Sequence, residues 1–82
     1  MNLTILYFAS IREALKFERE QFAGEANTVG ELIEQLSQRG NLWHNTLQQE
    51  SVLIAVNQTI GDAATQLNDG DEVAFFPPVT GG

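Results

Sequence analysis

The chain contains no cysteine and a single histidine, His44, in 82 residues. Disulfides, thiolate metal sites and cysteine nucleophiles are thereby excluded, and one imidazole cannot assemble a catalytic pair or a metal cluster. His44 itself reads as a surface or edge residue without a chemical role. Basic residues are also scarce: four Lys and Arg stand against eleven Asp and Glu, for a net charge of −7. Nucleic acid and anionic membranes both demand a basic footprint, so neither is an expected partner. A protein partner with basic patches suits this charge, as does the plain role of keeping a small protein soluble. No apolar run approaches the roughly 18 residues that span a bilayer, and no basic segment precedes the apolar stretch of "MNLTILYFASIRE". The expected location is cytoplasmic. Walker loops, GxGxxG, HExxH, internal repeats and low-complexity segments are all missing. No cofactor-binding motif is left for the chain to use.

What remains is an ordinary folding inventory. With 43% hydrophobic residues, disorder is not expected. A chain this short makes one core, buries roughly 60–65% of its unfolded surface, and has a net stability of about 4–12 kcal/mol. There is no material for an elaborate pocket.

Residues 2 to 9, "NLTILYFA", alternate Leu3, Ile5 and Tyr7 with Thr4, Leu6 and Phe8, so both faces of the strand are largely apolar. Such a strand lies either between two layers or with its outer face against a partner. Ser10 is expected to cap a short helix through "IREALK", and "FEREQF" carries a weaker alternation of Phe17, Arg19 and Gln21 against Glu18, Glu20 and Phe22. Thr28 and Glu31 have capping-box spacing. Val29, Leu32, Ile33 and Leu36 then form one stripe of the main helix, which Gly40 is expected to close with a left-handed residue. "NLWHNTLQQE" predicts a short helical piece capped by Asn41 and anchored by Leu42, Trp43 and Leu47. "SVLIAVN" suits a strand buried on both faces. Asn57-Gln58 predicts a tight turn with Asn at positive φ, "NDGDE" predicts a reversal at Asp-Gly, and "EVAFF" is the last strand. Leu3, Ile5, Tyr7, Val73 and Phe75 are the expected core. A hairpin pair, a crossing helix and two further strands make an α+β domain. The compact arrangement that fits this order is the β-grasp, or ubiquitin-like, fold, a mixed sheet with one main helix packed on one face.

The division is a folded domain over residues 1–76 and an extended tail over residues 77–82, "PPVTGG". Pro77 and Pro78 fix φ and keep the base of the tail extended, which leaves less order to be gained on docking. Six residues reach about 20 Å at 3.3–3.6 Å each. Gly81 and Gly82 lack Cβ, so the terminal acyl carbon is accessible and the backbone can thread a narrow channel. In a chain with so little reactive side-chain chemistry, the terminal carboxylate is the candidate reagent. It is ionised at neutral pH and resists nucleophiles, so it must be activated: transfer of an AMP group yields a mixed anhydride, and a sulfur donor attacking the acyl carbon leaves a thiocarboxylate.

"AVNQTI" followed by "LNDGDEVAFFPPVTGG" closely resembles the small subunits of molybdopterin synthase, ubiquitin-like sulfur carriers of molybdenum cofactor biosynthesis. "ILYFASIRE" also resembles that family's first strand and its exit into a helix, while residues 16 to 51 match in pattern and length. The resemblance implies that a ubiquitin-activating-like enzyme, using ATP and Mg, adenylates Gly82. A sulfurtransferase relay then converts Gly82 to the covalent thiocarboxylate, with Gly81 providing clearance. The tail next inserts into the large synthase subunit, where its sulfur attacks cyclic pyranopterin monophosphate to build the dithiolene. Two small subunits would flank a dimer of large ones. The family's partner-contact surface maps onto Phe8, Ile60 and Phe76, continuing along Pro77, Pro78, Val79 and Thr80. Ordinary core packing is the competing reading for the first three. Arg12 matches the family's "RE" pair, with no role assigned. Other readings are a sulfur carrier of another pathway such as thiamine synthesis, a ubiquitin-like protein modifier with Lys16 as its one lysine, and a purely structural interaction domain.

Overall fold

The computed structural model describes residues 1–49 and 51–78. Along the chain run β1 (Asn2–Tyr7), α1 (Ala9–Leu15), β2 (Arg19–Ala23), α2 (Val29–Ser37), α3 (Asn41–Leu47), β3 (Leu53–Val56), β4 (Thr59–Gly61) and β5 (Glu72–Phe76). The five strands form one sheet in the order β2-β1-β5-β3-β4. The central β1–β5 pair is parallel and the other three pairs are antiparallel. This is the β-grasp arrangement, with helices packed on one face of a mixed sheet. No helix among the described residues is long and apolar enough to cross a membrane.

Period-two alternation sorts the side chains. Leu3, Ile5 and Tyr7 of β1, Phe22 of β2, Ile54 and Val56 of β3, and Val73 and Phe75 of β5 point inward and are buried. The α2 stripe of Val29, Leu32, Ile33 and Leu36 packs against them, with Leu47 of α3 and Ile11 and Leu15 of α1 closing the cluster. All five expected core residues, Leu3, Ile5, Tyr7, Val73 and Phe75, are buried.

The local signals hold with informative exceptions. Thr28 Oγ1 accepts from the Glu31 amide at 3.3 Å, while Glu31 Oε1 accepts from the amide of Asn27, one residue earlier than the usual capping box. Ser10 does not cap α1: the N-cap is Phe8, with no side-chain hydrogen bond, and Ser10 lies inside the first turn. Gly40 follows α2 at φ 145°, ψ 176° as the N-cap of α3, rather than as the left-handed residue closing α2. Asn41 is accordingly inside α3 and not its cap. Leu42 is exposed, so α3 is anchored by Leu47 and half-buried Trp43 alone. In "LIAV" the expected burial holds for Ile54, Ala55 and Val56, with Ala55 on the opposite face from the other two, and fails only at Leu53, which reaches solvent. The two-residue turn has both Asn57 and Gln58 at positive φ, 51° and 69°, the geometry whose twist matches a hairpin. Asn57 also ties the turn to β5, donating from Nδ2 to Asp71 at 2.9 Å and accepting from the Glu72 amide at 3.0 Å. In "NDGDE" the positive φ falls on Gly70, at 88°.

One polar cluster closes the inner face beyond β1. The Tyr7 hydroxyl donates to Glu20 Oε1 at 2.5 Å, and Arg39 grips both Glu20 oxygens at 2.8 and 3.1 Å. The Arg39 guanidinium lies 4.5 Å from the centre of the Trp43 ring, and Phe17 meets both Tyr7 and Trp43 edge-on. Burial pushes the Tyr7 phenol well above its ordinary range, and the hydrogen bond and charge of Glu20 push it further. The Glu20 contact likewise holds the Arg39 guanidinium more firmly protonated.

Two outcomes follow. Leu36→Ala removes a fully buried side chain and is expected to cost about 2–5 kcal/mol in urea unfolding, a large share of a stability near 4–12 kcal/mol. Because the folded phenol has the higher pKa, its stabilisation is complete below the unfolded value of about 10 and is lost as pH rises beyond it. Tyr7 is the only tyrosine, so phenolate absorbance should stay absent in the folded protein at pH values where free tyrosine ionises. Stability should fall with alkaline pH more steeply in the wild type than in Tyr7→Phe; equal slopes would refute this.

Candidate functional site

The same alternation that fills the core sends a second set of side chains to the opposite face, where no helix covers them. Leu6 on β1 sits beside Ala74 on β5, Ala74 beside Ala55 on β3, and Ala55 beside Ile60 on β4. At the other end of this row Leu6 faces Arg19 on β2. One step toward the C-terminal end of β1 lie Phe8, Phe76 and Leu53, with Phe76 and Leu53 directly paired across β5 and β3. The Phe8 amide donates to the Phe75 carbonyl at 3.1 Å. The Phe8 and Phe76 rings then stack with centroids 4.6 Å apart and planes 5° from parallel.

Phe8, Ile60 and Phe76, which come from three separate parts of the chain, therefore meet on one surface. Phe8 is 37% and Ile60 70% exposed, while Phe76 is half-buried against its stacking partner. These values argue against ordinary core packing for all three, since the inner face is filled without them. Ala9 holds φ at 50°, in the left-handed region that non-glycine residues avoid, where the chain turns from β1 into α1 directly after Phe8.

Two depressions share the wall made by Phe8, Ile60 and Phe76. One, of about 370 Å³, also takes in Leu53, Pro77 and Pro78 at the base of the tail. The other, of about 450 Å³, has Ala55 and Ala74 as its floor and Leu6, Gln58 and Glu72 on its rim. β5 ends at Phe76, so Pro77 and Pro78 continue from the apolar surface without an intervening loop. The tail residues Val79, Thr80, Gly81 and Gly82 lie outside the described residues.

The side-chain chemistry of this face is meagre. No group of His, Cys, Asp or Glu able to hold a metal occurs among the described residues. His44 is exposed on α3, and Arg12 is exposed on α1 with its side chain in no ion pair among the described residues. What the arrangement offers is an exposed apolar surface at the base of the tail. Leu6, which alternation already set on the face of Phe8, belongs to this surface; Leu53, with Ala55 and Ala74 nearly buried beside it, was absent from the sequence-based set, as were the two alanines. Their signal is the strand register, which alternation alone does not supply.

The chain is similar to known proteins over nearly its whole length. The family model described as "ThiS family" matches residues 5–82. The molybdopterin synthase sulfur carrier subunit of Haemophilus influenzae is 39% identical over 80 residues, covering 98% of this chain and 99% of that protein. The subunit of the same name from Mycobacterium tuberculosis is 42% identical over 84 residues, covering 100% and 99%. Among solved structures, a chain in the complex of subunits 1 and 2 of the molybdopterin-converting factor from Helicobacter pylori superposes with a TM-score of 0.71 at 31% identity, covering all of both chains. With a family match spanning most of its length and relatives well above 30% identity over nearly all of it, this chain belongs to the ThiS family of ubiquitin-like proteins and resembles the molybdopterin synthase sulfur carrier subunits within it.

Proposed function

We propose that this chain is the sulfur-carrier subunit of a molybdopterin synthase and acts through the carboxylate of Gly82. The observation that carries this reading is the near full-length identity of 39–42% to curated sulfur carrier subunits of that enzyme. The residue inventory is in keeping with it, because a cysteine-free chain with one histidine has no side-chain thiol or histidine pair to carry the sulfur. An adenylating enzyme of the ubiquitin-activating type transfers AMP from ATP to the Gly82 carboxylate, releasing pyrophosphate. A sulfurtransferase persulfide displaces AMP at the acyl carbon, and a thiol then reduces the resulting acyl disulfide, leaving a thiocarboxylate and a disulfide on the donor side. The large synthase subunit takes up the tail, the terminal sulfur bonds to cyclic pyranopterin monophosphate, and water cleaves the acyl carbon–sulfur bond, returning the Gly82 carboxylate and leaving the sulfur on the pterin for the dithiolene.

In this reading residues 1–76 are the domain that partners recognise and residues 77–82 are the reagent. Phe8, Ile60 and Phe76 form the contact surface, and Pro77, Pro78, Val79 and Thr80 extend it toward Gly81 and Gly82. The chain is one part of a heteromeric sulfurtransferase, two copies flanking two large subunits in the cytoplasm, and it is not catalytic alone. Exposed apolar surface supports a docking role: Ile60 leaves most of its area in water, which a partner would bury.

Protein produced together with the activating machinery should contain, by intact-mass spectrometry, a fraction in which one terminal oxygen is replaced by sulfur. Deleting Gly82, or adding one residue after it, should abolish that product and sulfur transfer while the circular dichroism spectrum stays native; retained transfer would overturn the terminal mechanism. Phe76→Asp should weaken binding to the large subunit by roughly 30-fold or more, the loss of a central contact worth about 2 kcal/mol, as read by calorimetry. A variant that instead fails to fold would mark Phe76 as core.

A further inference from the structure

Pro77 and Pro78 stand between two hollows. The outer one, of about 370 Å³, is walled by Phe8, Ala9, Leu53, Ile60 and Phe76. The inner one, of about 230 Å³, lies on the helical side, among Ser10, Ile11 and Ala14 of α1, Thr46 of α3 and Val52. The two hollows share the proline pair and no other residue. The partition also cuts the neighbouring chain: Ala9 borders the outer hollow and Ser10 the inner, Leu53 the outer and Val52 the inner.

Little holds the prolines against either wall. β5 ends at Phe76, and neither proline takes part in a backbone hydrogen bond among the described residues. Each proline fixes its own φ, so the pair is stiff within itself and turns at its root. The residue before a proline stays extended, with ψ spread over roughly 40°. Turning through that range at Phe76 carries the end of a tail about 20 Å long through roughly 10 Å. Space behind the prolines decides whether that turn is available. The inner hollow is far larger than the roughly 30 Å³ share of one water, and the small side chains of Ser10 and Ala14 leave it open. Ala9, at φ 50°, is the left-handed step that turns the chain into α1 at this spot, directly after the Phe8 amide bonds the Phe75 carbonyl.

We propose that Pro77 and Pro78 work as one stiff lever that rocks between the two hollows, and that Ala14 is a positioning residue that keeps the inner hollow free and so sets the directions in which Gly82 is presented. The use assigned to this motion rests on the sulfur-carrier reading above. In that reading one terminus enters two active sites, first that of the adenylating enzyme and then that of the large subunit. A single fixed exit direction would have to suit both. A lever with room on each side supplies two directions from one stiff tail, and it orders at less entropic cost than a flexible linker would.

Two measurements test this. The chain has no cysteine of its own, so nitroxides on Val79→Cys and Gln21→Cys report the distance from the tail root to the sheet by double electron–electron resonance. That distribution should have two maxima, and adding Ala14→Leu should leave one; a single maximum that Ala14→Leu does not change would overturn the lever. In kinetic assays with the adenylating enzyme and the large subunit, Ala14→Leu, folded by circular dichroism, should lower kcat of at least one reaction by roughly tenfold or more, the cost of misplacing a reacting group. Its KM should stay unchanged, because the outer face keeps its shape. Glu13→Leu, which adds bulk to an exposed position of α1, should keep both kcat values. If folded Ala14→Leu runs both reactions at the wild-type kcat, or if Glu13→Leu slows them equally, the lever falls alone. If Ala14→Leu does not fold, the distance distribution of the doubly labelled chain decides, two maxima for the lever and one against it. If the wild-type chain accepts neither AMP nor sulfur, the sulfur-carrier reading falls, and the same distribution still decides the lever.

Discussion

The parallel pairing of β1 with β5 is the constraint on which the remaining geometry depends. It joins the two ends of the domain at the centre of the sheet, in the register that sets Tyr7 beside Phe75. The next residue on each strand then follows: Phe8 falls beside Phe76, and the rings stack. A parallel pair needs a long crossover connection, and here most of the chain supplies it, including the main helix α2, which covers the inner face. The tail therefore leaves the domain beside the start of α1, flush with an apolar surface. Slipping the pairing by one residue would exchange the two faces of a strand. It would send Phe75 to solvent and Phe76 inward.

The two faces of β1 differ in what covers them. Its inward residues reach the core and, at Tyr7, a closed polar cluster with Glu20 and Arg39 that leaves no buried side-chain donor or acceptor without a partner among the described residues. That satisfaction matters because an unpaired buried polar group costs far more than a paired one returns. The outward residues Leu6 and Phe8 do the opposite. They keep apolar area in water, a cost that folding alone does not explain and that binding to a partner would offset. Strain at Ala9 falls at the junction of the two roles, where the chain leaves the sheet immediately after Phe8.

Much of this was legible in the residues. The capping pair Thr28 and Glu31, the helical stripe of Val29, Leu32, Ile33 and Leu36, the Asn57-Gln58 reversal and the inward set Leu3, Ile5 and Tyr7 are each set by neighbours within a few positions, so local spacing reveals them. The failures have a common origin. Ser10 and Asn41 are good capping types that the chain does not use as caps, because the helix starts were displaced by one or two residues, to Phe8 and Gly40. Leu42 was misplaced because a seven-residue helix has too few turns to define its buried side. Leu53 was misplaced because a short continuous apolar run does not reveal which of its faces is covered.

The sequence by itself determined the chemical limits of this protein. Without cysteine, with one histidine and with seven more acidic than basic residues, its side chains offer no thiol and no histidine pair. Composition and local spacing carry that information because they depend on residue type alone. Tertiary structure decided where the exposed apolar surface lies. Phe8, Ile60 and Phe76 are far apart in sequence, and Ala55 and Ala74 look unremarkable in any local window; strand register alone sets the two alanines side by side under a hollow. Register is settled by the burial of the opposite face, a property of the whole sheet that no single segment encodes.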